Sequence, residues 1–458
     1  MRASGRMAAA AGLARVDDGR RPFSPQAGAQ RKGAQAAPQA DPLAAPQPAN
    51  DAPPRATPIP TGRTHPRSLA GATILQLVPA LSDDPAGQAV ADIALTLLQS
   101  GARALVAGDG GPLVGELRTF GGEWLPMPAD TLNPLRIARN TRAIGELIAR
   151  ERVDIVHAHC AAAAWSALRA IRQQQPVYLV TSFPDRLAPH SLPSNAFRAS
   201  LARGDRVIAP SSYISRAMIE RYRIAPERVA VIPRAIDTET FSAAAVSDDR
   251  VGQLRRAWGV LPEMRIVLVP GRIAPWNGQM SVIDAARFIV ANDERNIVFV
   301  FAGDDRSQSR YLNALHQRAA AHGVDTLCRF VGHCPDMPAA LRAADVVVVP
   351  SLEPPLTGRT VAEAQAMGRP VVTTTIGMLP ENVLCPPRMR EELRTGWIVR
   401  PGHAGQIARA VTEALKLNDT AYEALGARAR QFAEFMFSPQ SVAEASRGVY
   451  TSLLSREP

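Results

Sequence analysis

The hydrophobic pattern of this chain begins late. The run Thr73-Ile-Leu-Gln-Leu-Val-Pro79 is short, apolar and rich in branched side chains, which predicts a strand buried on both faces. A helix is predicted over 87–99, a strand over 104–107 and a longer amphipathic helix over 135–152. Asp154-Ile-Val-His-Ala-His159 predicts another strand, followed by an alanine-rich helix. Strands at 177–181 and 206–209 come next, then a helix through Tyr222 capped by Ser211 or Ser212. Strands alternating with helices imply a parallel, doubly wound sheet.

The alternation pauses over 234–262, a polar linker with a helix near 249–258. It restarts at Arg265-Ile-Val-Leu-Val-Pro270, which has the character of a second first strand. Further strands are predicted at 296–301, 329–331, 345–349 and 370–374. The expected fold class is therefore α/β, with two Rossmann-like doubly wound domains facing across a cleft. Ligands of such sheets bind beyond the carboxyl ends of the strands, which places a ligand between the domains.

Residues 1–70 contain eleven prolines and no periodic apolar positions. A segment of that kind buries too little surface to offset its ordering entropy, so a disordered tail is expected; a start codon assigned too far upstream is the alternative. The formal charge of +10 raises the question of a nucleic-acid partner. The tail, with ten basic and four acidic residues, supplies most of that excess, and only Lys32 and Lys416 among 52 basic residues are lysine. This composition reflects a GC-rich coding bias, and no nucleic-acid motif appears, so no nucleic-acid partner is expected. Cys160, Cys328, Cys334 and Cys385 form no Cys-x-x-Cys pair; neither a metal nor another cofactor is expected, and a reducing, cytoplasmic setting fits best. No apolar run approaches the roughly 18 residues of a membrane span. Residues 1–14 make a poor signal peptide.

Two segments carry candidate chemistry. Pro270-Gly-Arg-Ile-Ala-Pro-Trp-Asn-Gly-Gln279 ends a strand and opens a helix; Gly271 permits close backbone approach, and Arg272 offers a planar fork suited to phosphate. The plain alternative is a strand–helix turn with a surface arginine. The second segment is Glu353-Pro-Pro-Leu-Thr-Gly-Arg-Thr-Val-Ala-Glu363-Ala-Gln-Ala-Met-Gly368. Leu356-Thr-Gly358 turns into a helix whose free amides suit phosphate, and Glu363, in its second turn, suits ribose hydroxyls; a helix-dipole or surface glutamate is the plain alternative. His157 and His159 end a buried strand and would face the cleft; the alternative is a satisfied core role.

These segments resemble the family 4 retaining glycosyltransferases of the GT-B fold. The likeness centres on Gly-Arg-Thr-Val-Ala-Glu-Ala-Gln-Ala-Met-Gly-Arg-Pro-Val-Val and extends to Val153–His159, Gly204–Ala209, Val231–Asp237, Phe330–Met337 and Gly396–Gly402. It implies a nucleotide-sugar donor in the C-terminal domain, a glycan or lipid-linked acceptor in the N-terminal domain, and no metal. The implied donor-binding set is Gly271, Arg272, Asn277, Gly303, Thr357, Gly358, Arg359, Thr360 and Glu363; the acceptor or cleft set is Gly87, His157 and His159. The implied domains are 1–70 (tail), 71–240 (N-terminal, acceptor), 241–262 (hinge), 263–436 (C-terminal, donor) and 437–458 (a helix returning to the N-terminal domain).

Departures from the family pattern fall at the site. Ser82-Asp-Asp-Pro-Ala-Gly87 stands where the family has a Gly-Gly turn meeting the donor phosphates. Pro184-Asp185 replaces its His-Gly, Asn277 its lysine and Pro355 the first of its paired glutamates. Glu353 and Asp185 remain as catalytic candidates. The leading expectation is a retaining glycosyltransferase of cell-envelope polysaccharide or lipopolysaccharide synthesis. Arg136, Arg139, Arg142, Arg150 and Arg152 could offer peripheral contact with an anionic inner-membrane face, but a solvated helix face in an arginine-rich composition is the preferred reading. A catalytically degenerate GT-B protein that binds a nucleotide, glycan or partner is the alternative, and a sugar-nucleotide epimerase a third.

Overall fold

A computed structural model describes residues 68–172, 176–184, 197–291, 296–305, 309–355 and 357–455. The expectation of a disordered tail therefore concerns residues that lie almost entirely outside those described, as do Asp185 and Leu356.

The first domain runs β1 (Thr73–Ala80), α1 (Pro85–Gln99), β2 (Arg103–Asp109), α2 (Leu113–Thr119), β3 (Glu123–Pro126), α3 (Pro134–Glu151), β4 (Ile155–Ala158), α4 (Ala161–Ile171), β5 (Tyr178–Ser182), β6 (Arg206–Ala209), α5 (Ser212–Tyr222) and β7 (Val229–Val231). All seven strands are parallel, in the order β3-β2-β1-β4-β5-β6-β7. The second runs α6 (Asp248–Ala257), β8 (Arg265–Pro270), α7 (Gln279–Ala291), β9 (Ile297–Ala302), α8 (Ser309–Ala321), β10 (Cys328–Gly332), α9 (Met337–Ala343), β11 (Val346–Val349), α10 (Arg359–Ala366), β12 (Val371–Thr374), β13 (Gly396–Val399), α11 (Ala404–Leu415), α12 (Asp419–Phe437) and α13 (Pro439–Leu454). Its six strands are also parallel, ordered β10-β9-β8-β11-β12-β13.

In both domains the strand order reverses beside the first strand, and the same device marks that point. Asp154, just before β4, accepts the Thr73 amide of β1 at 2.8 Å. Asp345, just before β11, accepts the Ile266 amide of β8 at 2.7 Å. A carboxylate thus satisfies an amide at the start of each first strand, where the ladder has no partner for it. The reversal opens a crevice at the carboxyl ends of the central strands.

The core strands are continuous apolar runs because helices cover both faces. β9 (Ile-Val-Phe-Val-Phe-Ala) and β11 (four valines) are buried throughout. Side-chain caps set the helix starts. Asp84 accepts the Ala86 and Gly87 amides ahead of α1, with Pro85 in the first turn, and Asn133 does the same ahead of α3.

Segments outside the alternating pattern tie the domains together. Ile236, Phe241, Val246, Trp258 and Val260 of the linker pack into the core of the second sheet. In the opposite direction α13 crosses to the first domain, where Tyr450, Leu453 and Leu454 pack with Ile74, Val90 and Leu97.

Candidate functional site

The C-terminal half of the site is built on glycine turns. Gly271, at the end of β8, has φ +128°, and a Cβ at Gly303 would lie 2.1 Å from the Gly271 carbonyl. The ends of β8 and β9 therefore lie flush, leaving bare backbone at the crevice. Gly278 has φ +74°, and its Cβ would meet the Pro350 carbonyl at 2.0 Å. Asn277 Nδ2 and Gln279 Nε2 both donate to the Arg272 carbonyl, at 2.7 and 2.8 Å. Asn277 thus clamps its own turn, while the Arg272 side chain is exposed.

The loop after β11 lies against that turn, because the Leu352 and Glu353 amides donate to the Trp276 carbonyl. Glu353 is exposed and Pro355 half-buried. Gly358 caps α10 without a side chain, and among the described residues no side chain accepts the first-turn amides. A Cβ at Gly358 would sit 2.0 Å from Asn382 Nδ2, which donates to the Gly358 carbonyl at 3.0 Å. Thr357 is exposed and Thr360 half-buried. Glu363 is 6% exposed and accepts from Arg359, four residues earlier. Burial pushes its carboxyl above the ordinary range, with the Arg359 guanidinium opposing the shift. The carboxylate expected on a ribose is thus held by an arginine of its own helix.

The N-terminal half holds a cavity of about 190 Å³ at the carboxyl ends of β1, β4, β5 and β6. Its walls are mostly apolar, and Ser82, Asp84, His157, His159, Ser182, Arg234 and Ser446 supply polar groups. His157 is fully buried. Its Nδ1 lies 2.7 Å from the Tyr450 hydroxyl and its Nε2 2.8 Å from Ser182 Oγ. Both nitrogens are engaged, so His157 ties α13 to the sheet behind the cavity and offers nothing to a ligand.

His159 differs. Gln76 Nε2 donates to the Val90 carbonyl at 3.2 Å, which turns Gln76 Oε1 toward His159 Nε2, 3.1 Å away. An amide oxygen only accepts, so Nε2 carries the proton and Nδ1 keeps its lone pair. Among the described residues Nδ1 has no hydrogen-bond partner. Burial, and then the Arg234 charge, pull its pKa down to about 3, so the ring is neutral near pH 7. Burial and His159 hold His157 well below its usual value.

Gly87 lies in the first turn of α1, where a Cβ would meet the Ser82 carbonyl at 2.0 Å. Its amide and that of Ala86 donate to Asp84 Oδ1 at 2.8 and 2.9 Å, while Ser82 Oγ donates to Oδ2 at 2.6 Å. Those bonds, the serine's first, hold the Asp84 carboxyl below its usual range. The anion-binding end of α1 is thus filled by its own carboxylate.

The two halves meet at a gap of about 30 Å³ where Thr357, Gly358 and Arg359 oppose Pro210, Pro233 and Arg234. Arg359 also borders a wider cavity of about 670 Å³, lined by Asp83, Asp84, Asp92 and Asp237. Sequence reasoning missed Arg234, Gln76, Ser182 and Asn382, whose roles depend on contacts between distant segments. Arg234 alone had a signal, lying inside the Val231–Asp237 motif. The four cysteines are free thiols. Among the described residues no group of three or more His, Cys, Asp or Glu is arranged to hold a metal, and no helix is long and apolar enough to cross a membrane.

Comparison with known proteins agrees with this architecture. The model for Glycosyltransferase Family 4 matches residues 86–240, and that for Glycosyl transferases group 1 matches 264–417. A D-inositol 3-phosphate glycosyltransferase of Geodermatophilus obscurus is 32% identical over 185 residues, 39% of this chain and 40% of that one. Its counterpart in Streptomyces bingchenggensis is 30% identical over 256 residues, 55% of this chain and 53% of that one. The chain spans about two fifths to three fifths of the length of these curated relatives. Among solved structures, a glycosyltransferase from Rickettsia africae superposes with a TM-score of 0.68 at 25% identity, covering 84% of this chain and all of that one. Anabaena HepE in complex with UDP superposes at 0.63 with 23% identity, covering 83% and 100%, a likeness of fold. The matched segments, the paired parallel sheets and the glycine turns agree: the chain belongs to family 4 of the glycosyltransferases and has the GT-B fold.

Proposed function

We propose that the chain is a glycosyltransferase that moves a sugar from a nucleotide-sugar donor to a glycan or lipid-linked acceptor, with retention at the transferred carbon. One observation carries the reading. The start of α10, at Thr357–Arg359, faces across a narrow gap the segment Pro233–Arg234, which also lines an N-terminal cavity presenting one unprotonated imidazole nitrogen. Backbone amides at a helix start and two arginines, Arg272 and Arg359, suit a diphosphate leaving group. The mostly apolar cavity with its polar groups suits a sugar or polyol.

In this reading the C-terminal domain binds the nucleotide sugar, its phosphates meeting backbone at the Gly271 and Gly303 strand ends and at the start of α10 after Gly358. The bond from the sugar's anomeric carbon to the diphosphate breaks, and the diphosphate leaves with the electron pair. A bond to an acceptor hydroxyl oxygen forms on the same face, and that hydroxyl's proton passes to the departing diphosphate oxygen. His159 Nδ1 accepts a hydrogen bond from an acceptor hydroxyl and fixes its position. The arginines supply the charge stabilisation that a metal gives elsewhere, so the reaction needs no metal or other cofactor. Leu132 and Leu135, 76% and 81% exposed beside Arg136 and Arg139, support peripheral contact with an anionic membrane at its cytoplasmic face and a role in envelope glycan synthesis.

The degenerate alternative draws on Asp84, which fills the α1 amides, and on Pro355, which provides no carboxylate. Incubation with UDP-, GDP- and ADP-sugars, with D-inositol 3-phosphate as a trial acceptor, separates the two. The proposal expects release of a nucleoside diphosphate from one donor class, and a transferred sugar with its anomeric configuration kept by NMR. Binding of a nucleotide sugar with neither hydrolysis nor transfer supports the degenerate reading instead.

A further inference from the structure

The segment after β12 grips both domains at once. Met378 is buried in the N-terminal core among Phe183, Ile214 and Met218, although it lies within the C-terminal chain. Three residues on, the Glu381 carboxylate accepts the Ser212 amide through Oε2 and the Tyr213 amide through Oε1, each at 2.7 Å. Ser211 Oγ takes the next amide, that of Ile214, at 3.1 Å. The start of α5 in one domain is therefore capped by a carboxylate from the other. Two charge-assisted bonds on amides at the positive end of a helix dipole make this a directional contact.

The neighbouring residue faces the other way. Asn382 is 8% exposed. Its Nδ2 donates to the Gly358 carbonyl at 3.0 Å, and its own carbonyl accepts from Gln365 Nε2 of α10. The Gly358 carbonyl also receives the Val361 and Ala362 amides, so Asn382 bonds to the group that organises the first turn of α10. Adjacent backbone units in the short helical turn Leu379–Glu381 and its cap Asn382 thus hold α5 on one side and the start of α10 on the other.

We infer that Glu381 and Asn382 are positioning residues that couple engagement of the N-terminal domain to the placement of the Thr357–Arg359 turn. Loss of the Glu381 bonds when the domains part lets the 379–382 turn shift. Asn382 carries that shift to Gly358, which has no room to move independently because Asn382 packs directly against its Cα. The donor turn is then fully formed only when the acceptor domain is docked. The inference rests on the reading of that turn as the nucleotide-holding element, and its test keeps the two apart.

Amide hydrogen exchange on the unliganded protein tests the coupling through Glu381→Gln and Asn382→Ala. E381Q is expected to speed exchange at Ser212 and Tyr213 by about tenfold or more and, through Asn382, to speed Val361 and Ala362 as well. N382A is expected to do the converse. Unchanged rates at Ile266–Val269 of β8 verify that each variant is folded. Effects confined to α5 in E381Q and to α10 in N382A overturn the inference, since each contact is then merely local. A second arm titrates UDP, GDP and ADP by calorimetry: E381Q, which lies off the donor turn, is expected to weaken whichever of them the wild-type protein binds by about threefold or more. If exchange is coupled and wild-type protein binds none of UDP, GDP and ADP in the same titration, the nucleotide reading fails while the coupling stands.

Discussion

Gly278 and Gly358 show how single residues fix the donor side. At Gly278 both the backbone (φ +74°) and the space (Pro350 carbonyl 2.0 Å from a built Cβ) exclude a side chain. Gly278→Ala is expected to cost about 2–4 kcal/mol in urea denaturation, since rigid backbone must move. Gly358→Ala meets a side-chain amide instead. It should cost less stability, about 1–2 kcal/mol, yet weaken nucleotide binding by displacing Asn382 from the turn. Equal stability losses in the two variants would contradict this.

The two histidines yield a pH prediction. Both are neutral when folded and have pKa values lowered from 6.5, to about 3 for His159. The unfolded chain therefore binds more protons below pH 6.5, and stability falls as pH drops through that value toward the folded pKa. His159 should remove about 2 kcal/mol between pH 6.5 and pH 5, and His157 acts in the same direction. Denaturation midpoints at pH 7 and pH 5 measure this. His159→Gln should flatten the dependence, and an unchanged slope would rule the histidine out as its source. Neither role was legible in the sequence. His157 and His159 look equivalent there, two positions apart on one strand, and only Tyr450 on one side and Gln76 on the other distinguish them.

Among strands, those buried on both faces were legible, whereas of the edge strands β3, β7, β10 and β13 only β10 was. β8, β9 and β11 are uninterrupted apolar runs, and each falls within a residue or two of its expected place. β3 (Glu-Trp-Leu-Pro) and β7 (Val-Ala-Val) lie at the sheet edge and are only partly buried, so neither has the apolar signature of a core strand. α2, with seven residues, is too short to show a helical period. α1 and α13 carry the element-scale predictions. Asp84→Ala removes the α1 cap and should cost about 0.5–2 kcal/mol. Tyr450→Phe keeps the packing of α13 but leaves His157 Nδ1 unpaired in a buried site, with an expected cost of about 1–3 kcal/mol. Thermal unfolding checks both, and a neutral Tyr450→Phe would show that the α13 contact is held by packing alone.

At the scale of the whole molecule, the paired Rossmann-like sheets were readable because their pattern repeats, down to the carboxylates Asp154 and Asp345 that precede β4 and β11. The site was readable in part. Its glycine turns announced themselves as motifs, whereas the contacts between Glu381 and Ser212 or His157 and Tyr450 join residues 169 and 293 positions apart. The departures from the family pattern acquire definite consequences in the fold. Asn277 clamps the turn that Arg272 leaves, and Asp84 fills the amides of α1. In the proposed reading the charge offered to a diphosphate lies at Arg272, Arg359 and the start of α10, with Arg234 across the gap.

The central claim is that a nucleotide sugar binds there. Calorimetric titration of the full chain with UDP-, GDP- and ADP-sugars, repeated on the Arg272→Ala Arg359→Ala double variant, tests it directly. Saturable one-to-one binding is expected for at least one nucleotide class, reduced about tenfold or more in the double variant through loss of charge-assisted bonds. No binding by any nucleotide sugar, or binding that the double variant leaves unchanged, would contradict it.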